Sequence, residues 1–309
     1  FFIDILETSS LRDLTFALGK QIFETLKSRS KQMMDLFVQT VRSISGEFGY
    51  DPLSGMPKFN LSLGAIQNPE YTLSEIFDYI NKADKRCLIA IDEFQQIGEW
   101  NDSLIVQKRM RGVWQHQEHV SYCLFGSKQH MMTNLFQNKR MPFYQFGEPN
   151  YLQPISTADW TPFIQSKFQE KGLEISEHYV ARICEIVQNQ SSYVQQLAWL
   201  TWINTDKVAK EQDFDAAYKD LLDQNSPLFE KQTENLSSYQ LNFLRALVDG
   251  ATELSSAEVI NKYNLASSSN VAIIKKALIK KELIDTENRK IVIADPVLKA
   301  WIKRELYKI

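Results

Sequence analysis

The sequence has 309 residues, 44% hydrophobic and 24% charged, a size and balance that suit two or three globular domains and exclude a disordered or collagen-like chain. The longest apolar runs, such as residues 87–91, reach about five residues against the ~20 of a membrane span. Three cysteines, Cys87, Cys123 and Cys184, form no CxxC and fit a reducing cytoplasm, while a net charge of −3 argues against a chain coated for nucleic acid.

The opening, Phe1-Phe-Ile-Asp-Ile-Leu6, reads as a buried strand that runs at once into a helix. It has no basic flank, so no signal peptide is predicted, and a domain that starts on such a strand is expected to have further chain before it. Ser9 or Ser10 caps a helix whose apolar positions Leu11, Leu14, Leu18, Ile22 and Leu26 recur at helical spacing. A second helix is predicted over 31–44. Residues 46–70, rich in Gly and Pro, read as a loop with a short ribbon at 58–63. A helix over 72–83 leads into a strand at 86–91, which ends in Asp92-Glu93-Phe94. A helix over 104–116, a strand over 120–125 ending in Gly126-Ser127, and a short helix over 129–137 follow. Pro142, Pro149 and Pro154 bracket a last extended piece, 143–152. Strands separated by helices predict a parallel α/β sheet, and the uninterrupted apolar strands predict helices on both faces.

From residue 159 the pattern is helical only: 159–171, 176–188, 191–204 and 213–224. Trp199 and Trp202, with Leu197 and Leu200, are predicted to pack in the core of this part. From 236 the rhythm changes again. Helices at 238–249 and 255–263, a third opening at Ser267-Ser-Ser-Asn270, a ribbon around Asn288 and a last helix after Pro296 predict a winged helix-turn-helix.

The densest chemistry is Cys87-Leu-Ile-Ala-Ile-Asp-Glu-Phe-Gln95. A buried strand delivers two adjacent carboxylates at its C-terminal end, where α/β sheets bind ligands. In nucleoside triphosphatases the first such carboxylate holds Mg²⁺ and the next polarises the attacking water. Asp92 and Glu93 suit those two roles; an acidic turn closing a strand is the plainer reading. Ser127, at the end of the next strand, suits a sensor that hydrogen-bonds water or a γ-phosphate, or else an ordinary helix cap. Arg140 offers a guanidinium for phosphate charge, against the plainer reading of a solvated charge before Pro142. His116 and His119 read as loop histidines rather than metal ligands, and no GxSxG or cysteine–base pair supports a nucleophilic triad.

The opening strand, Ala90-Ile-Asp-Glu-Phe-Gln95, Phe125-Gly-Ser127, Lys139-Arg-Met-Pro-Phe-Tyr144, Ser192-Tyr-Val-Gln-Gln-Leu197 and Ala294-Asp-Pro-Val-Leu-Lys-Ala-Trp301 occur in an order that resembles the archaeal-type AAA+ ATPases, STAND-like P-loop NTPases with a C-terminal winged helix. The resemblance covers nearly the whole chain. It implies a P-loop NTPase-type α/β core at 1–155, a helical lid at 156–235 and a winged helix at 236–309. ATP and Mg²⁺ are the implied cofactors, with Asp92 on the metal, Glu93, Ser127 and Arg140 catalytic, and nucleotide state moving the winged helix. Two features depart from the family. No GxxxxGK[ST] occurs in the sequence; in the family it precedes the strand that opens this chain. Where relatives carry Gly-His-Pro or Gly-Asn-Pro, Gln190-Ser191-Ser192 stands, so Ser191 and Ser192 either meet nucleotide or merely cap the next helix. The alternative is a non-catalytic DNA-binding or protein-interaction regulator that uses the α/β part as a scaffold.

Charge is uneven. Residues 236–309 hold 12 Lys+Arg and 8 Asp+Glu, a net of +4, leaving −7 for the rest. Lys275, Lys276, Lys280 and Lys281 fall on the third helix, with Arg289 and Lys290 in the wing. This is the placement for duplex DNA, and equally that of a solvated face on a module that binds protein or a second copy.

Overall fold

In chain order, the first part folds as β1 (Phe2–Asp4), α1 (Leu11–Lys27), α2 (Lys31–Thr40), β2 (Phe48–Tyr50), β3 (Pro57–Phe59), α3 (Pro69–Lys82), β4 (Cys87–Asp92), a 3-10 helix (Phe94–Glu99), α4 (Ser103–Trp114), β5 (Val120–Leu124) and α5 (Gln129–Gln137). The structure, a computed structural model, describes residues 1–27, 30–43, 48–50, 57–59, 66–82, 86–287 and 290–307. These form two compact units, Phe1–Tyr151 and Leu152–Ile309. The ribbon expected at 58–63 is seen as β3 paired antiparallel with β2; its residues 60–63 lie outside the described residues.

The sheet of the first unit has the order β1-β4-β5, all parallel, with Asp4 level with Asp92 and Ile91 level with Leu124. Its buried face carries Ile3, Ile89 and Ile91, packed with Leu14, Leu18 and Ile22 of α1 and Ile76 and Phe77 of α3 in one hydrophobic cluster. The capping expected of Ser9 and Ser10 is shared. Ser10 Oγ accepts the Asp13 N–H, and Asp13 accepts the N–H and hydroxyl of Ser9, so three of the helix-start polar groups find partners.

Two expectations are corrected here. Among the described residues the sheet is covered on one face only, since Phe2 and Leu88 on the other are 53% and 56% exposed. A continuous apolar run along β4 therefore does not report two covered faces in this unit. The piece expected to be extended at 143–152 instead opens with a turn over 142–145, and none of it is a strand. Phe143 is fully buried among the rings of Phe94, Trp114, Phe136 and Phe146, with centroids 5.5–5.7 Å away. Arg111 of α4 takes the carbonyls of Pro142 and Tyr144, which a strand would need for pairing, and lies over the Phe146 ring. Gln145 sits at φ 52°, outside any strand conformation.

The second unit runs α6 (Thr157–Gln169), α7 (Glu177–Ile186), α8 (Ser191–Asn204), α9 (Glu211–Thr233), α10 (Ser238–Val248), α11 (Ala257–Tyr263), α12 (Ser268–Lys280), the antiparallel ribbon β6 (Ile284–Glu287) with β7 (Lys290–Ile293), and α13 (Pro296–Tyr307). A single hydrophobic cluster runs from Trp160 to Ile302. Trp199 is not core. It is 54% exposed, because Val194, Leu197, Ala198 and Thr201 already fill the i, i+3, i+4, i+7 stripe of α8 and residue 199 falls off it. Trp202 is half-buried against the cluster. Helix α9 continues through Pro227, nine residues past the expected end at 224. Beyond the proline, Phe229 is fully buried with its ring 5.8 Å from that of Trp301 and tilted to it, and the Trp301 indole N–H donates to Ser226 Oγ at 2.8 Å. Arg304 adds a 2.7 Å bridge to Asp223.

Candidate functional site

Parallel pairing of β4 with β5 brings Asp92, Glu93 and Ser127 to one edge of the sheet. Both strands end there, and their backbones are tied across it: Phe125 N–H donates to Ile91 O at 3.1 Å, and Phe94 N–H to Phe125 O at 3.0 Å. Asp92 is half-buried, and its Oδ1 accepts the Glu93 N–H at 2.8 Å. Asp4, level with it on β1, spends its Oδ1 on the Leu6 N–H at 2.8 Å. Asp92 therefore stands near two other carboxylates at this sheet edge, Asp4 and Glu93, each with an oxygen already hydrogen-bonded, and the described residues contain no group of three His, Cys, Asp or Glu that could cage a metal. That donor set fits Mg²⁺, which keeps waters and takes one or two carboxylates together with substrate phosphates.

Glu93 is half-buried, and its backbone is left-handed, φ 54° and ψ 37°. For a non-glycine residue this is an uncommon conformation that costs about 1–3 kcal/mol and gathers at functional sites. Its carboxylate is held from two sides. Ser127 Oγ donates to Oε2 at 3.0 Å, and the Gln95 side-chain amide donates to the same oxygen. Ser127 is thus neither free nor a side-chain cap: α5 begins after Lys128 without a capping hydrogen bond from that residue's side chain.

Gln95 is the residue that sequence reasoning passed over. It stood in the motif as quoted, but a polar residue one step into a 3-10 turn gives no sign of burial, and here it is 1% exposed. Its Oε1 is buried without a partner among the described residues, an arrangement that costs about 1–3 kcal/mol. Gly126 lies against it: a Cβ built there would sit 1.8 Å from Gln95 Oε1.

Arg140 lies exposed in the turn after α5, its backbone N–H on Asn138 Oδ1 at 3.0 Å. Ser191 and Ser192 belong to the other unit. They are the first residues of α8, whose N-cap is Gln190 with no side-chain bond, so neither serine is the cap. In the winged region Ser267 caps α12, accepting the Asn270 N–H at 3.2 Å. Val271, Ile274 and Leu278 are buried, while Lys276 and Lys280 share the exposed face with Ile273; Lys275 is half-buried and Lys281 exposed. Lys290 is exposed on β7, and Arg289 lies outside the described residues. No helix of the described residues is long and apolar enough to cross a membrane.

Residues 227–304 match the model of a family described as a probable winged helix domain. Among solved structures, a Walker-type ATPase of Pyrococcus abyssi aligns with a TM-score of 0.63 at 17% identity, over 98% of this chain and 83% of that one. The Orc1 protein of Aeropyrum pernix, solved in complex with DNA, aligns at 0.45 and 11% identity over 100% of this chain and 78% of its own. Cdc6p of Pyrobaculum aerophilum aligns at 0.40 and 13% identity, over 99% and 79%. No curated protein sequence matches. The first likeness and the observed sheet together give the fold: the chain folds like that Walker-type ATPase, with a parallel α/β unit followed by helices and a C-terminal stretch that matches a winged helix domain.

Proposed function

We propose that this chain is the ATPase-type part of a cytoplasmic, STAND-like AAA+ protein that binds ATP with Mg²⁺ and whose nucleotide state repositions its winged helix. Residues 1–155 act as the nucleotide core, 156–235 as the lid and 236–309 as the output module. The observation that carries the reading is the meeting of Asp92, Glu93 and Ser127 at the C-terminal edge of two paired parallel strands. Asp92 holds Mg²⁺ shared with the phosphates, Glu93 polarises the attacking water, and Ser127 reads the γ-phosphate end. Arg140 is assigned to phosphate charge, and Ser191 and Ser192 to nucleotide contact. Titration calorimetry tests the binding half. The 309 residues, which contain no GxxxxGK[ST], are expected to bind Mg-ATP weakly. With a strand–GxxxxGK[ST]–helix segment supplied ahead of Phe1, binding should become Mg²⁺-dependent, and Asp92→Asn should remove that dependence. Tight binding to the 309 residues alone, indifferent to Asp92→Asn, overturns the reading.

The output module is proposed to contact duplex DNA through α12, on the strength of its winged-helix match and the shared exposed face of Lys276 and Lys280. Replacing both with Gln is expected to weaken duplex binding at low salt and to reduce the slope of log K against log[salt] by about two, since each lost phosphate contact removes about 0.9 from it. Fluorescence anisotropy at several salt concentrations measures this. No binding at low salt, or an unchanged slope, assigns the face to a protein partner or a second copy instead.

A further inference from the structure

We propose that Gln95 is a positioning residue that holds Glu93 in its working place, and that Gly126 is glycine to make room for it; what this does to turnover rests on the ATPase reading above. Glu93 is constrained at both ends. Its backbone is fixed in the left-handed region between the Asp92 carboxylate, which takes its N–H, and Phe94, whose N–H is bound to Phe125 O. Its carboxylate is fixed at one oxygen, Oε2, by the Gln95 amide and the Ser127 hydroxyl. Loading both donors on one oxygen leaves Oε1 as the basic atom for water, and a base that acts on water needs such a lone pair at a set place.

Packing alone does not account for Gln95. At 1% exposure its position is a core position, and a methionine or leucine of similar shape would fill it without stranding an amide oxygen. The amide is retained with Oε1 unpartnered, and its one hydrogen bond goes to Glu93. The cradle is built to match. Gly126 has no left-handed φ that would require glycine, yet a Cβ there would meet Gln95 Oε1 at 1.8 Å and Cδ at 2.9 Å. The glycine serves close approach of side-chain amide to backbone, between the strand end and Ser127.

Two measurements decide it. In the 309-residue chain, the Gln95 side-chain amide proton, assigned by its loss in Gln95→Met, should lie downfield, move upfield in Glu93→Gln and stay in place in Asp92→Asn. A resonance that ignores Glu93→Gln overturns the hold. In phosphate release by the protein carrying a phosphate loop, Gln95→Met should lower kcat about a hundredfold, the scale for a reacting group misplaced by an ångström, with KM unchanged. It should add no loss to Glu93→Gln, because Gln95 acts through Glu93. Unchanged kcat, or losses that add, overturns positioning and leaves Gln95 as packing. If the unsubstituted protein releases no phosphate, the ATPase reading fails, and the amide resonance alone still decides whether Gln95 holds Glu93.

Discussion

Glutamine in place of Glu93 is expected to slow phosphate release about 10²- to 10⁴-fold, the usual weight of a positioned general base, while leaving Mg-ATP affinity nearly unchanged. On the proposed reading the substitution keeps shape and removes the charge assigned to polarising water, an interaction that gains strength only toward the transition state. Asp92→Asn should act the other way, on the metal dependence of binding, because its carboxylate is the one proposed to hold Mg²⁺. The contrast is built into the strand. Asp92 lies on the sheet face of Leu88 and Ala90, whereas the left-handed turn at Glu93 aims the chain toward Ser127. Single-turnover phosphate release and calorimetry on both variants separate the two effects. Equal losses of binding in both would mean that the carboxylates only terminate a strand.

Phe143→Ala is expected to destabilise the first unit by about 3–5 kcal/mol, the range for deleting a fully buried aromatic ring. The ring is completely enclosed, and four aromatic neighbours lie with centroids 5.5–5.7 Å from its own. Removing it would leave a cavity next to the turn that Arg111 holds through the Pro142 and Tyr144 carbonyls. Urea unfolding followed by intrinsic fluorescence should show the transition of residues 1–151 shifted, with that of 152–309 in place. Phe143→Leu, which fills most of the space, should lose distinctly less. A loss below about 1 kcal/mol would show that the ring is not a core member.

Helices and strands were legible where one period dominates. The α1 stripe of Leu11, Leu14, Leu18, Ile22 and Leu26 is buried as its spacing predicts, and the two apolar runs at 86–91 and 120–125 are neighbouring parallel strands. Serine caps were legible for the same local reason: Ser10 and Ser267 satisfy N–H groups three residues away. Composition and motif order pointed to an α/β unit, helices and a winged helix, and Asp92, Glu93 and Ser127 could be named because strand ends in such sheets gather ligand-binding side chains.

What the local pattern left open is decided by partners distant in the chain. The extended piece expected at 143–152 opens as a turn over 142–145 because Arg111, about thirty residues earlier, takes the Pro142 and Tyr144 carbonyls and an aromatic cluster takes Phe143. Helix α9 passes Pro227 because burial of Phe229 and the contacts of Trp301 outweigh one missing hydrogen bond. Trp199 is outside since small and aliphatic neighbours had already filled its stripe. Gln95 becomes visible only once Gly126, just past the end of the next strand, is seen to lie against it. By itself the sequence determined which segments form elements and which carboxylates they carry, because those depend on neighbours within one turn or one strand. The Ser127 half of the hold on Glu93 was decided by tertiary structure, since a hydrogen bond between residues 93 and 127 exists only after two strands have paired.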